Sequence, residues 1–316
     1  MKLNQLLIIS LVGISCSGFA QAVQVGPSTH DLWASRPPCD AQAEAQRRSD
    51  LQGAEADFYN SVASALNEEW NEMIDGFREA WAERKEALEL VEDQYEARLQ
   101  VCAALGHGKY APDLNPAEFS STMTNNFLPF PVGQTMVYEK LTAEGLERVE
   151  VSVLNETRMV DGIECRSVQD LALLDGELIE STIDWYAEHQ DGSVWYMGEI
   201  ALNYDEEGFL ADVDGSWRTG VDGAQPGYIM RAAPAVGDFY RQEFLIGEAE
   251  DIGRVISLNE TVVTPYGTFT NCLQTEDGSP IEPDSHEMKY YAPGIGLVLE
   301  VDPESGERLE LVDILP

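Results

Sequence analysis

One pattern occurs twice in the C-terminal half of the chain, and it limits the folds open to it. Residues 151–200 read VSVLNET, a turn at Asp161-Gly162, IECRSVQ and then IDWYAEHQDGSVWYMGE. Residues 255–302 read VISLNET, a turn at Pro265-Tyr266-Gly267, FTNCLQT and then MKYYAPGIGLVLEVD. Each copy holds Asn-Glu-Thr, a Cys and an aromatic pair followed by Ala, and the spacing from Thr to the second aromatic differs between the copies by one residue. One supersecondary unit is used twice, so an apolar face that one copy cannot bury alone is buried by the other. Segments such as VEVSVL, VWYMGEI, LVLEV and LELVDI alternate with period two between turn signals at Asp161-Gly162, Asp175-Gly176, Asp191-Gly192 and Asp277-Gly278. About eight to ten short antiparallel strands fit, forming a strongly curved sheet or an incomplete barrel.

Upstream, residues 40–106 contain no Pro and are rich in Ala, Glu, Leu, Arg and Gln, which favour helix. Leu66, Phe77, Leu88 and Leu99 recur every 11 residues, as do Tyr59, Trp70 and Trp81, and this period keeps both rows on one face of a straight helix. A helix from Ala54 to Cys102 would be ~72 Å long, whereas the chain from Cys39 to Ala54 reaches back at most ~54 Å. A Cys39–Cys102 bond, which needs Cα atoms within about 7 Å, is therefore incompatible with one long helix. It requires a hairpin folding back near Asn67 to Gly76. The unbroken phase favours the straight helix, and the hairpin stapled at its base is the alternative. A stripe left exposed predicts self-association through this segment. The fold class is thus α+β: a long N-terminal helix or helical hairpin, then an internally duplicated antiparallel β-sheet.

The N-terminus reads as a secretory signal. A Lys precedes an apolar run from Leu6 to Ile14, and Ala20-Gln21-Ala22 is a small-x-small cleavage site. The run is shorter than the ~20 residues a membrane span takes, so no transmembrane segment is expected. The expected location is periplasmic or secreted, with a lipoprotein attached through Cys16 as the alternative. The parts are then a signal peptide at 1–22, a helical segment at 23–106, a Pro-rich linker at 107–135 and the β-domain at 136–316. Beyond the signal lie Cys39, Cys102, Cys165 and Cys272, an even number in an oxidising compartment. Cys165 and Cys272 occupy matching strands of the two copies and are the expected pair, with two buried thiols as the alternative.

Asp and Glu total 57 against 19 Lys and Arg, for a formal charge of −38. Nucleic acid, which needs a basic face, is excluded as a partner. An acidic, strongly hydrated surface accounts for most of these groups. The tightest acidic loop, with Asp205, Glu207, Asp212 and Asp214, supplies oxygen ligands of the kind calcium takes but lacks the EF-hand spacing. No cofactor is therefore expected, with calcium as the alternative. Hydrolase elbows, phosphate loops, Cys-x-x-Cys and zinc-helix motifs are missing, and the four His residues, His30, His107, His189 and His286, are scattered.

Between the copies lies a Gly-rich stretch, 203–253, carrying Trp217, Arg218, Tyr228, Arg231, Tyr240 and Arg241. Long loops without secondary structure of their own are often functional, so these six are the candidate ligand-binding residues. The strand pairs Trp185-Tyr186, Trp195-Tyr196 and Tyr290-Tyr291 place one aromatic on each face of the sheet. One member of each is expected to fill the core, while the other lines a concavity or meets the N-terminal helix.

At KYYAPGIGLVLEV (289–301), preceded by TPYGTFTNCLQT and IDWYAEHQDGSVWYMGE, the chain resembles a family of exported bacterial β-domains of unknown function, over roughly residues 127–313. The resemblance implies a half-barrel similar in outline to periplasmic lipoprotein carriers of the LolA and LolB type, and it brings no catalytic residues. The leading expectation is a non-catalytic envelope protein that binds an apolar or amphipathic ligand, or a protein partner, on a concave sheet. A calcium-binding structural or adhesion protein, and a hydrolase with an unrecognised carboxylate site, are the alternatives.

Overall fold

The computed structural model describes residues 36–316. The signal-peptide reading, Cys16 and His30 lie outside the described residues. The helical segment is a hairpin and not one long helix. Helix α1 (Pro38–Ala65) and helix α2 (Trp70–Leu105) are joined by residues 66–69, and Cys39 is bonded to Cys102 with Cα atoms 5.8 Å apart. The 11-residue phase misleads because it runs through the turn: Tyr59 lies on α1 and Trp81 on α2, and Phe58 packs on Trp81 across the hairpin at 4.8 Å. Gly76 allows the crossing, since a Cβ there would come within 2.9 Å of the Ala65 Cβ. Tyr59, Leu66, Trp70 and Trp81 are exposed, Trp70 to 72%. Among the described residues no helix is long and apolar enough to cross a membrane.

The β-domain is one antiparallel sheet of sixteen strands, several of them longer than the sequence suggests, rolled into a nearly closed barrel. The N-terminal meander comprises β2 (Thr135–Leu141), β3 (Leu146–Val160), β4 (Ile163–Leu174), β5 (Glu177–His189) and β6 (Val194–Tyr204). The C-terminal meander comprises β12 (Ile252–Val263), β13 (Thr268–Ser279), β14 (Glu282–Ala292), β15 (Gly296–Val301) and β16 (Arg308–Leu315). Pairing of β16 with β2 joins the two, so each copy of the repeat builds one side of the barrel. Asp161-Gly162 and Asp175-Gly176 turn the chain with positive φ at both positions, which suits tight hairpins. Asp277-Gly278 is not a turn. It lies inside β13, and the chain reverses at Pro280-Ile281.

Residues 203–253 are not an open loop. They hold β7 (Leu210–Asp212), β8 (Trp217–Arg218), β9 (Gln225–Met230), β10 (Phe239–Arg241) and β11 (Glu243–Phe244). β10 pairs with β12 at one edge of the sheet and β11 with β9 at the other, with only Gln242 between them. One extended segment therefore bridges the two edges, which removes the unpaired backbone that an open sheet would expose. Gly227 is required at this seam, because a Cβ there would sit 2.3 Å from the Arg241 carbonyl oxygen.

The hairpin is tied to this seam. The Arg98 guanidinium donates to Glu250 Oε1 at 2.9 Å and to Asp50 Oδ2 at 3.4 Å, and Arg98 and Glu250 are only 3% and 1% exposed. Gln94 donates to the Ile281 carbonyl at 2.7 Å. Residues 106–134, with a 3-10 turn at Pro116–Glu118 and the two-residue strand β1 (Phe119–Ser120), run over the barrel. There the backbone N–H groups of Thr124 and Asn125 donate to the buried Glu188 carboxylate.

Cys165 and Cys272 are both free and buried, which corrects the expected pairing. Equivalent residues of the two copies belong to opposite meanders. Cys165 sits in a cluster with Trp185, Trp195 and Met197, whereas Cys272 sits in another with Tyr138, Val298 and Leu311. The duplication that makes them equivalent also separates them.

Candidate functional site: a cavity inside the barrel

Alternation along the strands sends one aromatic of each pair to each face. Tyr186, Tyr196 and Tyr291 enter the central cluster, with Trp217 and Tyr240, while Trp185 and Trp195 pack in the separate cluster that holds Cys165. Beside the central cluster lies a cavity of about 210 Å³. Its apolar wall includes Leu128 and Phe130 from the segment crossing the barrel, Val149 and Val151 from β3, Ile229 from β9 and Leu297 from β15. Its polar wall is Asp170, Asp184, Lys289 and Glu300, with Tyr138, Tyr186 and Tyr291 beside them. The lining thus joins an apolar surface to a few convergent polar groups, as small-molecule sites do. A second hollow, of about 280 Å³, lies along α2 between Gln100, Arg254 and Ser285, at the seam where the hairpin docks.

Strand register sets the polar wall. Asp184 on β5 lies opposite Val168 of β4 and Glu199 of β6. A bulge at Gly198 permits the second pairing by turning Glu199 to the same face as Tyr196. Gly198 adopts φ 137°, and a Cβ there would meet the Trp217 carbonyl oxygen at 2.6 Å. On the other side, Lys289 of β14 lies opposite Thr275 of β13 and Glu300 of β15.

Burial raises the pKa of the Asp184 carboxyl to about 7, against the hydrogen bond it accepts from the Tyr196 hydroxyl. Burial and the neighbouring Asp184 raise Glu199 to about 8. Asp170 is held well above the usual carboxylate range by burial and by Asp184, and its Oδ1 has no hydrogen-bond partner among the described residues. At Lys289 burial works against the ammonium, but Glu300, Asp277 and Glu287 outweigh it and keep the group protonated. Its Nζ lies 3.5 to 3.7 Å from all three carboxylates. Glu300 is also raised, by burial and Glu287, with Lys289 opposing.

The six residues singled out in 203–253 do not form one site. Tyr228, Arg231 and Tyr240 are neighbours: the Arg231 guanidinium lies 4.3 Å from the Tyr228 ring centre, and Tyr228 lies 6.3 Å from Tyr240. Trp217 is buried in the central cluster against Tyr196, and Arg218 beside it is exposed. Arg241 turns the other way, over Phe244 and Tyr110, and burial lowers its pKa. Of this stretch only Ile229 reaches the cavity wall. Among the acidic candidates, Asp205 Oδ1 accepts the Glu207 and Phe209 N–H groups, and Asp212 Oδ1 accepts Asn203 Nδ2 and the Asp214 N–H. Those carboxylates close turns. No group of three or more His, Cys, Asp or Glu arranged to hold a metal occurs among the described residues.

The cavity's polar residues escape a search for motifs because they come singly from strands far apart in sequence. One signal was present: IDWYA and MKYYA place Asp184 and Lys289 at the same position of an otherwise apolar five-residue stretch, two residues before the inward Tyr.

No protein-family model matches the chain, and no curated protein matches it. A solved structure from Parabacteroides distasonis ATCC 8503, described as a "putative lipoprotein", matches 60% of this chain and 99% of its own at 14% identity with a TM-score of 0.34. That likeness is too distant to bear on what this chain does.

Proposed function

We propose that this chain is a non-catalytic binding protein of the cell envelope that holds one small amphipathic molecule inside its barrel. The observation that carries this reading is the cavity itself, where an apolar wall meets a wall of buried carboxyls and one of them, Asp170, has an oxygen without a partner. A buried polar atom left unpaired costs stability, and a ligand that supplies the missing donor recovers it. The Cys39–Cys102 bond supports an oxidising compartment. A dry apolar cavity of ~150 Å³ holds benzene, so the occupant is about the size of one ring with a short arm.

Native mass spectrometry of the exported, oxidised protein tests this. A retained molecule of that size is expected, and re-adding it at about a hundredfold its Kd raises stability by about 2.7 kcal/mol. Ile229→Trp, which fills the cavity, should abolish both signals. A bare protein that shows no thermal shift with any small amphipathic compound would overturn the reading.

A further inference from the structure

We infer that the occupant of the cavity carries a protonated amine, seated against Asp170 and Asp184 in the half of the barrel that lacks an ammonium of its own. The inference rests on the cavity being a binding site and specifies the ligand's polar end.

The duplication supplies the argument. In the C-terminal copy a Thr, a Lys and a Glu face one another across three strands, as Thr275, Lys289 and Glu300. In the N-terminal copy the same register brings together Val168, Asp184 and Glu199. In each copy the inward Tyr follows the central residue by two, as Tyr291 and Tyr186, and an Asp follows the first residue by two, as Asp277 and Asp170. Both copies therefore present the same frame of one Asp and one Glu. One frame is filled by Lys289, which lies 3.7 Å from Asp277 and 3.6 Å from Glu300. At the equivalent place the other frame has a third carboxyl, Asp184, and no ammonium. The Oδ1 of Asp170, like that of Asp277, has no hydrogen-bond partner among the described residues, so the contrast between the frames is the missing cation.

An ammonium offers three donors and a charge, which is what Lys289 contributes in its own copy. A ligand amine reaching Asp170 and Asp184 would do the same in the other, with its hydrocarbon body on Leu128, Phe130 and Ile229. Lys289 does not repel such a ligand strongly, since three carboxylates of its own surround it. A ligand carboxylate would add a further acid to a wall whose carboxyls already outnumber its one ammonium.

Affinity then depends on pH. The groups facing Asp184 are Asp170 from β4, Glu180 from β5, Tyr196 and Glu199 from β6, Glu243 from β11 and, across the cavity, Lys289. Only Lys289 among them is cationic, and burial holds Asp170, Asp184, Glu199 and Glu243 above the ordinary carboxylate range, so these four keep their protons to higher pH in the empty cavity. An arriving ammonium displaces them, and amine binding tightens as pH rises through about 7.

Isothermal titration of the exported, oxidised protein with 2-phenylethylamine, 2-phenylethanol and 3-phenylpropanoate tests the inference. At pH 7.5 the amine should bind about tenfold more tightly than the alcohol, with the acid weakest. At pH 5.5 the amine should lose most of that advantage while the alcohol is unchanged. Asp170→Asn with Asp184→Asn should reduce the preference to about twofold, and the wild-type comparison decides the matter if that variant does not fold. Alcohol binding as tight as amine binding at pH 7.5 overturns the amine and leaves the cavity reading standing. Failure of all three probes to bind overturns both.

Discussion

The two copies of the repeat share strand aromatics and buried Cys, yet they carry opposite charges at a matched position on the cavity wall. Lys289 faces Glu300 in the C-terminal copy, whereas Asp184 faces Glu199 in the N-terminal copy. The first pair attracts, and the second can be buried only if protons are kept on it. Packing residues hold a duplicated frame together and must agree between copies. A polar residue that faces a cavity is free to diverge. The difference marks where the two halves stopped doing the same work, and it lies in the repeat, not in the Gly-rich stretch between the copies.

The comparison can be broken most sharply at Lys289. Lys289→Met leaves Asp277, Glu287 and Glu300 without their cation, and it should cost about 2–3 kcal/mol in urea unfolding, at the low end for a buried pair because the lysine keeps some exposure. Asp184→Asn at the matched position should change stability by less than about 1 kcal/mol, since it relieves like charge while giving up an acceptor for Tyr196. Equal losses would erase the distinction.

A pH series sharpens it further. Asp184 and Glu199, at about 7 and 8, bind protons more tightly in the folded chain than in the unfolded one. Their stabilising effect is present at acid pH and is lost as pH rises through those values. Between pH 5 and 8.5 the unliganded protein should lose at least about 2 kcal/mol, since Asp184 alone keeps its extra proton over about two pH units, and Asp184→Asn with Glu199→Gln should flatten the profile. A wild type that gains stability over that range would contradict the assignment.

The smallest effects concern what the copies share. Cys165→Ser and Cys272→Ser should each cost about 1–2 kcal/mol, because a hydroxyl replaces a buried thiol. The two costs should add, as the residues sit in separate clusters. Neither thiol should react with a thiol reagent in the native protein. Burial raises both, Cys165 to about 12.

The repeat, the strand aromatics and the curved β-sheet were legible because period-two patterning and Asp-Gly turns are local signals. The hairpin was legible only as an alternative. An 11-residue spacing does not record that residues 66–69 leave the helix, whereas the reach between Cys39 and Cys102 shows what their bond would require. Barrel closure was not legible, since β10 and β11 are three and two residues long and are defined by their partners. The cavity's carboxyls were hidden for a related reason. Glu199 faces Asp184 only because of the bulge at Gly198, and strict alternation would have turned it away.

Carboxyl titration of the unliganded protein by carbon-13 NMR tests the central claim most directly. The account predicts that Asp184 titrates near 7 and Glu199 near 8, and that saturating 2-phenylethylamine moves both toward the ordinary range. Titration of both near 4 without ligand, the range of exposed carboxylates, would contradict it.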